Sequence, residues 1–151
     1  MNKILIATDG SPAALEAVEF GVELAAEQDA AVVFVHVLPR VDLVPMSGLG
    51  MVGARWHELG PEDRRALDEA EAVAAAHAVR STTKLLTGEV VDEIVAYADN
   101  LDVDLIVVGS RGHGALASAL LGSVSRDILA ESKRPVAVIR AVSTEAKAAV
   151  A

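Results

Sequence analysis

Gly109, Gly112, Gly122 and Ser123 stand in the spacing G-x2-G-x9-G-S. The apolar run Leu105-Ile106-Val107-Val108 precedes them, and Val124-Ser125-Arg126-Asp127-Ile128-Leu129 follows. That order predicts a buried strand, a glycine-punctuated loop and the start of a helix. Glycine lets the backbone approach a ligand closely and reach conformations closed to other residues. A helix start presents unpaired N–H groups and a partial positive charge. Together these parts make an anion site, and phosphate is its usual occupant. The spacing is not the dinucleotide pattern G-x-G-x-x-G. Nor is it the Walker pattern, which needs a lysine directly after its second glycine. Taken singly, Gly109 could be a strand-ending turn and Gly122 a point of close helix–sheet packing. Three glycines framing one loop, with Ser123 beside the last, favour the ligand reading.

Other residues have narrower claims. Asp9 could be a turn or cap residue, but it ends the first strand-like run, and ligands of α/β sheets gather at that end. His113 lies in the glycine loop and reads as an exposed loop histidine. His36 lies within a strand-like run and reads as a core-edge histidine rather than a catalyst. His57 and His77 are too isolated for a metal site, which needs several convergent ligands. Ser110 and Ser118 could accept a phosphoryl group, though no neighbouring residue argues for it. Arg126-Asp127 reads as the solvated face of a helix.

The elements that must position these residues alternate. Lys3 to Thr8 is apolar without alternation, as in a parallel strand buried on both faces. Ser11 can cap a helix carrying Pro12 in its first turn. In that helix Glu16, Glu19, Glu23 and Glu27 mark one face, and Leu15, Val18, Val22 and Ala25 another. Ala31 to Leu38 is a second strand. Residues 61 to 77 form a second helix, started by Pro61, with Ala66, Ala70, Val73, Ala74 and His77 on one face. Val79 to Leu86 is diluted by polar residues and suits an edge strand. Gly88 to Ala98 is a third helix and Val103 to Val108 a fourth strand. Ser123 to about Ser132 is a fourth helix, and Val136 to Arg140 a fifth strand. Strands alternating with helices predict an α/β fold around a parallel sheet. Its crevice should open where strands one and four end, at Asp9-Gly10 and Gly109.

Residues 39 to 60 interrupt this pattern. Pro39, Pro45, Gly48, Gly50, Gly53 and Gly60 punctuate them, and no period is evident. Connections of this length are usually functional or mobile. The segment reads equally as a lid or contact segment beside the crevice and as a disordered loop.

Composition narrows the partners. The 151 residues suit one domain. Hydrophobic residues make up 52% and mean hydropathy is +0.40, which argues against a disordered chain. The formal net charge is −9, with 13 basic residues against 22 acidic ones. A nucleic-acid binder needs basic patches and stacking aromatics, so nucleic acid is not an expected partner. No apolar run is long enough to span a bilayer, and no apolar leader with a cleavage site is visible. With cysteine absent, a cytoplasmic setting is expected, with no membrane association.

The chain resembles the universal stress protein family over nearly its whole length. The residues that carry the resemblance are Lys3-Ile4-Leu5-Ile6-Ala7-Thr8-Asp9-Gly10-Ser11, His36-Val37, the Gly109–Ser125 stretch and Arg134-Pro135-Val136-Ala137-Val138-Ile139. The ATP-binding branch of that family carries G-x2-G-x9-G-S/T, which this chain fits without a gap. The resemblance implies a five-stranded Rossmann-like sheet in the order 3-2-1-4-5 with helices on both faces. It implies a nucleotide-binding domain over residues 1–142 with a frayed tail at 143–151, and a homodimer formed through the Val136–Arg140 strand. By position, Asp9 resembles the acidic residue near ribose and adenine. Val37 resembles the residue whose backbone meets the adenine edge. Gly109, Arg111, Gly112 and Gly122 resemble the phosphate and ribose loop, and Ser123, Val124 and Ser125 the helix start that receives the phosphates. The implied cofactor is ATP or another adenine nucleotide, with or without Mg2+. His113-Gly114 after Gly112 departs from the family pattern and adds flexibility to the loop.

Efficient phosphoryl transfer needs a metal-holding acid, a positioned nucleophile and a cation on the developing charge. The glycine loop has no lysine, and no general base is evident, so the sequence favours binding over turnover. The expected protein is an ATP-binding stress-response regulator, with at most slow ATP hydrolysis. The alternative is a slow nucleotide hydrolase or nucleotidyl-transferring enzyme of the same broad fold. Against it, Thr8-Asp9-Gly10-Ser11 replaces the S-G-G-x-D-S of the related pyrophosphate-loop enzymes. A phosphorelay receiver would want adjacent acids after strand one and an aspartate after strand three, and has neither.

Overall fold

Isoleucine and valine runs without alternation form the middle of a parallel sheet, because each strand there is covered on both faces. In the computed structural model, which describes residues 1–48, 50–110 and 121–141, the first such run is β1 (Lys3–Ala7), and Ile4, Leu5 and Ile6 in it are fully buried. The elements that follow are α1 (Pro12–Gln28), β2 (Ala31–Leu38), β3 (Val41–Pro45), β4 (Val52–Trp56), a 3-10 turn (Pro61–Arg64) leading into α2 (Arg65–Ala76), β5 (Ser81–Thr87), α3 (Val90–Leu101), β6 (Leu105–Gly109), α4 (Ser123–Glu131) and β7 (Val136–Ile139).

Five of the strands make one parallel sheet in the order β5-β2-β1-β6-β7. With β3 and β4 set aside, this is the expected order 3-2-1-4-5. Ile4 pairs with Val32 on one side and Leu105 on the other, which places the winding reversal at β1. Alternate residues of β1 serve opposite cores. Ile4 and Ile6 pack with Val18 and Val22 of α1 and Leu67 of α2, whereas Leu5 packs with Ile94 of α3 and Ile128 of α4. Alanine allows close approach of these layers. At Gly21 even a methyl group would overlap the Ile6 side chain, at 2.4 Å from its Cδ1.

The local signals act as their chemistry requires. The Ser11 hydroxyl accepts from the Ala14 N–H at 3.3 Å and caps α1. Asp29 and Asp102 end α1 and α3 in the left-handed conformation. Leu15 is exposed rather than part of the α1 core face, whose buried positions include Ala14, Ala17 and Gly21 beside Val18, Val22 and Ala25. The second helix begins as a 3-10 turn, and His77 is its exposed C-cap rather than a member of the buried face. Asp104 accepts from the N–H groups of Asn2 and Lys3 at 2.6 and 2.9 Å, which lowers its pKa and fastens the N-terminus. No helix among the described residues is long and apolar enough to cross a membrane.

Residues 39 to 60 carry regular structure rather than forming a disordered loop. They hold an antiparallel hairpin, β3 on β4, with Val41 opposite Trp56 and Leu43 opposite Ala54. The period-two pattern is present in five-residue strands but is masked by flanking glycines. The hairpin is fastened at its base. His57 Nδ1 lies 2.8 Å from Asp42 Oδ1, and His57 Nε2 lies 3.0 Å from Oδ2 of the buried Asp63. The same Asp63 oxygen accepts from the Gly60 N–H at 2.8 Å. A neutral imidazole has one donor, so meeting two carboxylates favours the imidazolium. The hydrogen bond to Asp42, then that to Asp63, raises the His57 pKa. The Gly60 N–H, then His57, lowers that of Asp63.

Candidate functional site

The crevice at the winding reversal is built from backbone first. β1 ends at Ala7, and the turn Thr8-Asp9-Gly10-Ser11 leads into α1. Gly10 adopts φ +79°, which glycine reaches without the steric cost that a Cβ carries. The turn is tied internally, since Asp9 Oδ1 accepts from the Ser11 N–H at 2.9 Å and Thr8 Oγ1 from the Gly10 N–H at 3.2 Å. This holds Asp9 at the C-terminal edge of the sheet.

β6 ends beside it. A Cβ on Gly109 would lie 2.7 Å from the carbonyl carbon and oxygen of Ala13 and 2.9 Å from the Ala14 nitrogen. Gly109 is therefore required by the approach of β6 to the first turn of α1. Ser110 follows and is buried. Its carbonyl accepts from the Gly122 N–H at 2.7 Å and from the Ser125 hydroxyl at 3.1 Å. Ser125 Oγ also lies 3.0 Å from the Gly122 carbonyl. The two ends of the stretch between Ser110 and Gly122 are thus clamped together by a buried serine on the first turn of α4.

Gly122 is the N-cap of α4 and supplies no side-chain acceptor. The first N–H groups of a helix have no intrahelical partner, and among the described residues none accepts from those of Ser123, Val124 and Ser125. No acidic residue occupies the first turn of α4 to compete for that positive end.

A cavity of about 490 Å³ opens here. Asp9, Val37, Gly109, Gly122, Ser123, Val124 and Ser125 all line it. Arg111, Gly112, His113, Gly114 and Ser118 lie outside the described residues, as does the tail at 143–151. The cavity has polar lining from Thr8, Asp9, Ser110 and the α4 start. It also has apolar walls that the motif did not announce: Val35 of β2, Val108 of β6, and Val90 and Ile94 of α3. Ile94 belongs to a helical apolar face that also serves the core, so periodicity alone does not mark it as a wall. His36 lines the cavity too, and its Nδ1 lies 2.8 Å from the Thr8 carbonyl. No described residue of the β3–β4 hairpin lines the cavity.

The chemistry on offer is narrow. Asp9 is the only carboxylate and His36 the only imidazole among the described lining residues, and no lysine is among them. The arrangement offers an anion the start of α4 and an apolar group the valine and isoleucine walls.

Comparison with known proteins follows the same line. The profile of the Universal stress protein family matches residues 1–140. A universal stress protein of Bacillus subtilis, YxiE, is 36% identical over 146 residues, covering 92% of this chain and 99% of its own. Among solved structures, a universal stress protein in complex with cAMP superposes with a TM-score of 0.70 at 25% identity, covering 93% of this chain and 98% of its own. The universal stress protein from Archaeoglobus fulgidus in complex with dAMP superposes with a TM-score of 0.67 at 27% identity, covering 92% and 98%.

Proposed function

The chain belongs to the universal stress protein family, and from that premise we propose that it binds an adenine nucleotide, ATP in the first instance, in the crevice between β1 and β6. The observation that carries this reading is the cavity's mixed lining. It combines the uncapped start of α4 and the glycine backbone with walls of valine and isoleucine. Phosphates suit the first environment and a purine the second. Two solved relatives hold adenine nucleotides, cAMP in one and dAMP in the other, which supports the choice of base.

In this reading Gly122, Ser123, Val124 and Ser125 receive phosphate through N–H and hydroxyl groups. The family resemblance assigns Arg111 and Gly112 to the same phosphate loop. Gly109 keeps β6 close to α1, so that the phosphates lie beside backbone rather than side chains. Val37 meets the adenine edge, and Asp9 lies toward the ribose. Bound ATP would bring a triphosphate whose charge the α4 start offsets. Mg2+ accompanying it would find oxygen donors at Asp9 and the serines, ligand types that a hard cation takes.

Binding rather than turnover is favoured by what surrounds the phosphates. Phosphoryl transfer is carried by positioned cations and a base that orients the nucleophile. The described walls offer one carboxylate and one imidazole for all of those tasks. The protein is therefore a nucleotide-responsive regulator in the cytoplasm, its output a change of shape or of dimer contacts. β7 supports such contacts. It pairs only with β6 among the described strands, and its residues Val136–Ile139 are all half-buried.

Isothermal titration of the full chain tests the reading. Micromolar ATP affinity with very slow phosphate release is expected. The absence of heat at high micromolar ATP overturns nucleotide binding. Turnover above about 1 per second, an ordinary enzyme rate, would instead establish the hydrolase alternative.

A further inference from the structure

The β3–β4 hairpin turns an apolar face to solvent. An antiparallel sheet with one covered face normally turns its apolar side chains inward and its polar ones to water. Cross-strand pairing places Val41 with Trp56, Leu43 with Ala54, and Pro45 with Val52, so these six share one face. All six are exposed, Leu43 at 77%, Trp56 at 75% and Val52 at 64%. The opposite face carries Asp42 and Arg55, 3.9 Å apart, together with Val44 and Gly53, and the chain beyond it leads to the His57 clamp on Asp63. On that face Asp42, Val44 and Gly53 are half-buried, so the wholly apolar face is the more exposed of the two. An isolated two-stranded hairpin is marginal in water and needs its apolar face covered.

We propose that this face pairs with the same face of a second copy of the chain, around a two-fold axis that runs along the strands. Its chemistry selects that occupant. The face carries no charge, and the Trp56 indole N–H is its only side-chain hydrogen-bonding group, so it gives a charged partner nothing to orient on. The chain as a whole carries −9. Two copies repel one another over most of their surfaces, and an uncharged face is where they can meet. That charge also disfavours an anionic membrane.

Shape agrees. Each rung of the hairpin has one larger and one smaller member. A two-fold axis along the strands sets Trp56 against the partner's Val41 and Leu43 against the partner's Ala54. Sheets packed this way lie about 10 Å apart with interdigitated side chains. The area is adequate as well. A tryptophan brings roughly 150–250 Å² by itself. With Leu43, Val52, Val41 and the flanking, exposed Leu59, the face approaches the ~800 Å² per partner of a standard specific interface. This contact is separate from the β7 edge and does not depend on nucleotide.

Trp56 is the chain's single tryptophan, so it reports on its own face. Emission of the full-length protein should shift to shorter wavelength as concentration rises through the micromolar range. Sedimentation equilibrium at tens of micromolar should show the assembly mass halved by Leu43→Glu. That substitution is at an exposed position, and circular dichroism should show an unchanged fold. Val52→Ser, a milder change, should weaken association without abolishing it. Emission that stays solvent-like at all concentrations overturns the proposal, as does a mass indifferent to Leu43→Glu. A shift that appears only with phosphatidylglycerol vesicles overturns it in favour of a lipid surface.

Discussion

His57 Nε2 lies 3.0 Å from Oδ2 of Asp63, and this contact joins the base of the hairpin to the start of α2. Asp42 engages the other ring nitrogen at 2.8 Å, so the hairpin, the imidazole and the helix form one chain of charge-assisted hydrogen bonds. Such bonds are stronger than neutral ones. They fix the attitude of a segment that otherwise shares no strand pairing with the main sheet.

The clamp should depend on pH in a defined sense. The folded-state pKa of His57 is raised above 6.5, so its contribution is fully present below 6.5 and is lost as pH rises through the higher folded value. Asp63 is shifted below 3.8, so its contribution is present above 3.8 and is lost as pH falls through the lower value. Between those limits both partners are charged. Ring resonances of His57 in an NMR titration should give a midpoint above 6.5, and Asp63→Asn should lower it. A midpoint at or below 6.5 contradicts the clamp.

Gly109→Ala should be costly in spite of its small size. The new methyl would lie 2.7 Å from the Ala13 carbonyl, against backbone that cannot swing aside. Overpacking of this kind costs about 1–3 kcal/mol. Urea unfolding should show that loss, and ATP affinity should fall with it because β6 and α1 must separate at the crevice.

Gly122→Glu should separate binding from folding. Gly122 has φ −65° and ψ 160°, values open to any residue, so the chain can accommodate the change. A carboxylate at that position would occupy phosphate space and oppose its charge. The thermal midpoint should stay close to that of the parent, and the heat of ATP titration should vanish. Retained ATP binding would place the phosphates elsewhere.

Ala78→Gly should stabilise. Ala78 follows the α2 C-cap with φ +54°, and the Val79 N–H returns to the Ala74 carbonyl at 3.0 Å. That is the position where helices favour glycine. The left-handed conformation costs a residue with a Cβ roughly 1–2 kcal/mol, and glycine's greater freedom in the unfolded chain offsets part of the gain. A net gain of about 1 kcal/mol should appear as a midpoint a few degrees higher in calorimetry.

Much of this architecture can be read from local pattern. Ile4 to Ile6, Val32 to Val35 and Leu105 to Val108 are continuous apolar runs, and such runs signal strands covered on both sides. Gly109, Gly122 and Ser123 stand out by spacing, and the fold brings them to the same cavity as Asp9. Val90 and Ile94 could not be seen as cavity walls, because a helical apolar face looks the same whether it meets a core or a crevice. The close approach of Gly109 to Ala13 is equally silent in sequence, since it pairs residues from distant elements. The hairpin escaped for a different reason. Its strands are five residues long, and the cue lies in alternation rather than composition, with glycines on either side suggesting a loop. His57 gave no signal because Asp42 and Asp63 reach it only after the hairpin has formed.

β1 is first in the chain and central in the sheet, and its partner on the β6 side is far away in sequence. Lys3 donates its N–H to Asp104, 101 residues further on. Closing so long a loop is entropically slow, and folding rates fall as contacts become less local. On a ribosome, β1 can pair with β2 early, but its other edge must wait until β6 has emerged. The crevice between β1 and β6, which needs both β1 and the stretch after β6, is therefore among the last features to exist. A ligand of that crevice cannot template the early stages of folding and can stabilise only a chain that is nearly complete. Truncations that remove β6 should consequently leave an open-edged intermediate that no concentration of ligand rescues.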